Sequence, residues 1–210
     1  MFITFEGLDF SGKTTQATLL VQRLEQNGHN VVFLREPGGT NISERIRSIL
    51  LDRNHASMDQ VTELLLFSAS RAQLVSEVIL PALKKGEVVI CDRFSDSTVA
   101  YQGWGRGLNI DALKSINKVA TYGLLPDLTF LIDLRLEDVW TRMKHVGAAK
   151  DRLERSGQKF YERVRDGYLD AANVEPGRFV VLNGLRSVEQ IHEQVWKVTV
   201  DRTTSTQQQD

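Results

Sequence analysis

The 210-residue chain is short of several things, and each shortage narrows what it can be. It has one cysteine, Cys91, which rules out an internal disulfide framework and suits a reducing cytoplasm. Its 26 lysines and arginines nearly cancel 27 aspartates and glutamates, so the formal net charge is −1. Such a chain has no bulk attraction for nucleic acid or an anionic membrane, and neither is expected as a partner. No stretch approaches the eighteen or so apolar residues that a membrane span needs. Met1 to Gly7 lacks a basic leader region and a long apolar run, so it is expected to form a strand and not a signal peptide. Repeats and linkers are absent too. One domain over residues 1–200 is expected, followed by a polar Thr/Ser/Gln tail, 201–210, that is expected to be disordered.

What the chain does have is 41% hydrophobic residues, enough for a core, and one phosphate motif near its start. Gly7-Leu8-Asp9-Phe10-Ser11-Gly12-Lys13-Thr14, followed by Thr15, fits G-x-x-x-x-G-K-[ST]. Phe2, Ile3 and Phe5 before it read as a strand and Thr14 to Gln26 as a helix, so the glycines fall at the strand-to-helix turn where backbone N–H groups and the helix dipole can hold an anion. Lys13 is then expected on the outer phosphates and Thr14 on a magnesium ion.

Four more apolar runs follow: Val31–Leu34, Val88–Arg93, Leu128–Leu134 and Arg178–Leu182. Between them, helical spacing covers Ile42–Leu51, Asp59–Lys85, Asp111–Tyr122, Glu137 to about Lys144, about Asp151–Asn173 and Val188–Val200. Strands apolar on both faces and alternating with helices imply an α/β fold, a five-stranded parallel sheet covered by helices on both faces. Ligands of such sheets bind beyond the carboxyl ends of the strands, where Gly7, Glu36 and Asp92 stand.

Asp92 closes its strand where an acid that organises magnesium is wanted, and Arg93 beside it could clamp a phosphate bidentately. An ordinary strand-capping aspartate is the plainer alternative. Phe67 and Arg71 lie one helical turn apart, as a base sandwich or as a core ring with a solvated arginine. Between Arg142 and Arg165 eight basic residues face three acids. Arg152, Arg155, Lys159 and Arg163 would share one face of a helix, which suits a mobile basic lid over phosphates, or else a solvated surface helix.

Taken together, Phe5-Glu6-Gly7-Leu8-Asp9 with Ser11 to Thr15, Arg35-Glu36-Pro37-Gly38-Gly39-Thr40, Leu65-Leu66-Phe67 with Arg71-Ala72-Gln73, Asp92-Arg93-Phe94 with Ser97 and Ala100-Tyr101-Gln102-Gly103, and Pro126-Asp127-Leu128-Thr129 resemble the bacterial thymidylate kinases. The likeness runs from residue 2 to about residue 170. It implies a three-layer P-loop NTPase fold with a lid at about 143–156. The activity it implies is transfer of the ATP γ-phosphoryl group to dTMP, with Mg2+, in a homodimer. By that resemblance Asp9 meets the 3′-hydroxyl region of the sugar, and a cis Glu36–Pro37 turn shapes the acceptor site. Phe67 stacks on thymine, Arg71 donates to its O4, and Thr98 stands near its N3. Tyr101 crowds C2′ and so favours deoxyribose, Gln102 and Arg47 line the same pocket, Arg93 holds the acceptor phosphate, and Arg152 is the lid cation.

Some relatives carry an arginine inside the phosphate loop, where this chain has Asp9-Phe10-Ser11, so the catalytic charge is expected from Lys13, Arg93 and the lid. Asn183-Gly184-Leu185, after the fifth strand, is a positional expectation for the adenine site. Two other readings remain: a kinase for a different nucleoside monophosphate, and a GTP-dependent switch. The second is opposed by Asn117-Lys118-Val119-Ala120, which lacks the acid of a guanine-reading loop.

Overall fold

A computed structural model of the chain describes residues 1–146, 152–153 and 156–206. Five strands, β1 (Phe2–Glu6), β2 (Val31–Arg35), β3 (Val88–Asp92), β4 (Leu128–Asp133) and β5 (Phe179–Asn183), form one parallel sheet in the order β2-β3-β1-β4-β5. The central strands β1, β3 and β4 bury nearly every residue, which is why they read as continuous apolar runs. Register sets Phe5 opposite Asp92, so the phosphate turn after β1 and the acid ending β3 emerge side by side.

Helices α1 (Lys13–Gln26) and α9 (Val188–Thr206) cover one face, where Ile3, Phe5, Leu20, Phe130 and Val195 pack. The other face is buried by α3 (Gln60–Leu74), α4 (Leu80–Lys84), α5 (Ser95–Thr98) and α8 (Gln158–Val174), while α2 (Asn41–Leu51), α6 (Ile110–Ala120) and α7 (Leu136–Val146) flank it. Helix starts follow local chemistry: Thr40, Asp59 and Asn109 accept hydrogen bonds from first-turn N–H groups of α2, α3 and α6.

The sheet and its helices match the sequence reading, and four details depart from it. The expected helix Asp59–Lys85 is interrupted by a π-turn, Val75–Ile79, just ahead of Pro81, whose nitrogen has no hydrogen to give. By length and composition Gln60–Lys84 could cross a bilayer, but Glu63 and Arg71 within it are buried and paired inside this chain. Ser95 to Gly105, assigned to no element from sequence, is α5 running into a second π-turn, Val99–Gly105, which carries Tyr101 and Gln102.

The third departure concerns α8, which begins at Gln158 and not near Asp151, because Gly157 at φ 81° breaks the run. Arg152 therefore does not share a helix face with Lys159 and Arg163, and Arg163 instead binds the carbonyls of Trp104 and Gly105. Helix α8 lies close on the π-turn: a Cβ on Gly105 would come 2.6 Å from Phe160, and one on Gly167 2.6 Å from Trp104. Of the expected lid, residues 147–151, 154 and 155 lie outside the described residues. Finally, α9 runs to Thr206, six residues into the stretch expected as tail; 207–210 are likewise outside the described residues.

Candidate active site

The turn after β1 has the backbone that a phosphate cradle needs. Gly7 (φ 133°) passes so close to β4 that a Cβ would stand 2.5 Å from the Ile132 carbonyl, and Gly12 (φ 105°) turns the chain into α1. Asp9, Phe10, Ser11, Gly12, Lys13, Thr14 and Thr15 line one cleft. Gly7 and Leu8 support it from beneath: Leu8 is core, and its carbonyl accepts from Lys13 Nζ at 2.7 Å. Burial, then the Arg93 charge, lowers the Lys13 pKa from 10.5 to about 8. Asp92, Asp9 and Glu6 oppose that lowering, and a buried cation of this kind is suited to an incoming polyphosphate.

Arg142 closes the far side of this cleft. Its Nη1 donates to the Phe10 and Ser11 carbonyls and its Nη2 to the Gly184 carbonyl at 2.7 Å. The basic run was visible in sequence, but nothing local marked Arg142 as the member that reaches a loop 131 residues away. Gly184, expected near adenine, lines this cleft with Arg142 and Arg186.

All ten residues expected to bind the acceptor line a second pocket: Asp9, Glu36, Pro37, Arg47, Phe67, Arg71, Arg93, Thr98, Tyr101 and Gln102. The Glu36–Pro37 peptide is cis. Arg71 is 1% exposed and heavily engaged: Nε donates to Glu36 at 2.7 Å, Nη1 to Thr98 and Asn117, and Nη2 to the Phe94 carbonyl. Its guanidinium is thus fixed as much by the fold as it is offered to a base. Burial raises the Glu36 pKa, with Arg71 opposing. Asn117 donates to the Ser95 carbonyl and is buried at the acceptor side, away from the phosphate loop, which removes the basis for a guanine switch.

Asp9 and Arg93 line both cavities. Arg93 sits in the left-handed region at φ 71°, a conformation that a non-glycine residue holds only when its surroundings insist. Nη2 meets Asp9 at 2.6 Å and Tyr101 Oη at 3.2 Å, while Nη1 donates to the Gly7 carbonyl, Ser97 and Tyr168. Burial alone would raise the Asp9 pKa, but Arg93 and Lys13 outweigh it and hold the carboxyl below its ordinary value. Behind this cluster, sequence reasoning missed Glu6, fully buried on β1, which accepts from the Phe94 N–H, Ser97 and Tyr168. Burial, and next Asp96, push its pKa up to about 7.

Arg152 is placed on the acceptor side. It pairs with Glu63 at 2.6 Å and donates to the Leu50 carbonyl at 2.8 Å, beside the pocket residues Leu51 and Leu153. Glu63 also receives Arg106 and Gln102. This acidic anchor was not signalled in the sequence, since its partners come from two distant segments, Gln102 with Arg106 and Arg152.

Thr14 Oγ1 hydrogen-bonds Asp92, so a hydroxyl and a carboxylate converge at the mouth of the phosphate cleft. Hard oxygen donors of this kind fit Mg2+, which typically takes one or two protein oxygens and completes its shell with phosphates and water. No cluster of three His, Cys, Asp or Glu suited to a metal occurs among the described residues.

A parallel sheet, a phosphate loop at its first turn and an acceptor pocket sharing a wall with the cleft define a P-loop kinase of the nucleoside-monophosphate type. The family model for thymidylate kinase matches residues 5–195. Curated thymidylate kinases are similar over nearly the whole chain. That of Kosmotoga olearia is 51% identical over 94% of this chain and 94% of its own. That of Pelotomaculum thermopropionicum is 49% identical over 93% and 91%. The crystal structure of thymidylate kinase from Ehrlichia chaffeensis superposes with a TM-score of 0.77 at 39% identity, covering 95% of this chain and 97% of that one. The chain belongs to the thymidylate kinase family.

Proposed function

We infer that this protein transfers the γ-phosphoryl group of ATP to dTMP, giving dTDP and ADP. The observation that carries the reading is the pair of cavities joined at Asp9 and Arg93, one built from the phosphate loop and the other from Glu36, Phe67, Arg71 and Tyr101. In this reading Phe67 stacks on thymine, Arg71 and Thr98 face its polar edge, and Gln102 and Arg47 complete the rim. In the same reading Tyr101, buried on the π-turn, crowds C2′ of the sugar and so favours deoxyribose.

The chemistry needs no covalent intermediate. An oxygen of the dTMP phosphate, held by Arg93, attacks the γ-phosphorus in line while the loop N–H groups and Lys13 hold the leaving diphosphate. Thr14 and Asp92 would hold a Mg2+ ion, which would supply positive charge to the transferring phosphoryl group. Arg152, whose Nη1 pairs with Glu63 while its Nη2 has no hydrogen-bond partner among the described residues, adds charge to the transferred group in this reading. Kinases for other monophosphates share the phosphate machinery, but the family match does not favour them.

The homodimer is supported by an apolar face on α2 and α3, where Ile42, Ile49, Val61 and Leu65 are 52%, 44%, 49% and 52% exposed. Cytoplasmic placement is supported by the buried free thiol of Cys91. Incubation with ATP, Mg2+ and dTMP is expected to yield dTDP and ADP in equal amounts by mass spectrometry. Failure to form dTDP would overturn the reading.

A further inference from the structure

Arg93 has a pocket on either side, so something must hold its guanidinium still. Asp9 and Tyr101 hold Nη2 from the pocket side. Nη1 is held from behind, by the Gly7 carbonyl at 3.0 Å, Tyr168 Oη at 3.0 Å and Ser97 Oγ at 3.3 Å. A hydroxyl can accept from Arg93 only if its own proton points elsewhere. Both protons have one destination: Ser97 Oγ lies 2.7 Å and Tyr168 Oη 2.9 Å from the same oxygen, Oε2 of Glu6. The two hydroxyls are also 2.8 Å from each other, so without the carboxylate one would donate to the other and the chain of polarity would be ambiguous.

We propose that Glu6 is a positioning residue for the transfer: its carboxylate draws the Ser97 and Tyr168 protons away from Arg93, so that both hydroxyls present lone pairs to the guanidinium and fix it against the acceptor phosphate. Glu6 and Tyr168 line neither cavity, so they act only through Arg93. Glu6 is well built for this. Its other oxygen accepts the Phe94 N–H at 2.7 Å, which ties the carboxylate to the strained turn that carries Arg93. Glutamine is the same size but cannot reproduce the pattern. Its amide must either face the Phe94 N–H, donor against donor, or face the hydroxyls and turn a proton toward Arg93.

The inference rests on Arg93 as the clamp of the dTMP phosphate, and the test separates the two. At about pH 8, where Glu6 is ionised, Glu6→Gln is expected to raise KM for dTMP roughly tenfold, the scale on which partners behind a liganding group act. KM for ATP should stay within about twofold. Mere damage to the fold would lower kcat through a smaller active fraction and leave both KM values alone. In an Arg93→Ala background, Glu6→Gln should weaken dTMP binding by calorimetry no further, since the group it positions is gone. If Arg93→Ala itself leaves dTMP binding unchanged, the clamp reading fails and this inference with it. If Arg93→Ala weakens binding but Glu6→Gln shows an ordinary KM for dTMP, the clamp stands and Glu6 does not position it. Should Glu6→Gln not fold, Tyr168→Phe, which keeps the ring and removes one hydroxyl, decides by the same two KM values.

Discussion

Arg93 and Asp9 form a 2.6 Å ion pair that joins the end of β3 to the phosphate loop, and these two residues form the shared wall of the donor cleft and the acceptor pocket. In the proposed reading, the charge that would hold the acceptor phosphate already stands at the edge of the donor cleft.

Removal of either fixed cation should be felt in turnover far more than in folding. Arg93→Ala or Lys13→Ala is expected to cut kcat about a hundredfold or more, taking one lost preorganised charge as roughly 2.7 to 4 kcal/mol of transition-state stabilisation. Circular dichroism should show a folded protein in both cases. Near-normal turnover in a folded variant would remove that residue from the mechanism.

Lys13 should couple nucleotide binding to proton uptake. Its pKa is lowered to about 8 by burial and by Arg93, so near pH 8 about half of the unliganded molecules lack its proton. Phosphates beside it favour the charged form and raise the pKa, so binding must draw protons from the buffer, and well below 8 the effect fades. Titration calorimetry with ADP near pH 8, in two buffers of different ionisation enthalpy, should give different binding heats in the direction of uptake, with the difference lost in Lys13→Met. Equal heats in the wild-type protein would contradict the assignment.

Base recognition is best tested at Phe67. Arg71→Ala would also leave Glu36 buried without its partner, at a stability cost on the order of 3 to 5 kcal/mol, and so would confuse binding with folding. Phe67 is half-buried at the pocket wall. Phe67→Ala is expected to raise KM for dTMP by roughly five- to a hundredfold, the worth of a base–aromatic stack of about 1–3 kcal/mol, with KM for ATP unchanged. An unchanged KM for dTMP would place thymine elsewhere.

The strands and the phosphate loop were legible because each is written in a short string whose chemistry is local, while the residues that line the second pocket were picked out by the resemblance. Gly7 to Thr15 makes its own turn, and Glu36-Pro37, Phe67 with Arg71, and Arg93 each sit at a strand end or on one helical turn, so the parallel sheet brings them together. What was hidden is what depends on distant partners. Arg142 becomes part of the phosphate cleft only because α7 lies over the loop, and Arg152 meets Glu63 across 89 residues of sequence. Glu6 looked like one more strand residue until α5 and α8 delivered Ser97 and Tyr168 to it. The helix periodicity through 151–173 concealed Gly157, whose positive φ ends the run and dissolves the basic face that the spacing suggested.

The central claim, that the acceptor pocket is built for dTMP, is tested most directly by ADP release measured side by side with dTMP, dUMP, dGMP, AMP and CMP under one set of conditions. The account predicts the highest kcat/KM with dTMP and little ADP release without an acceptor. A higher kcat/KM with any of the other four would contradict it.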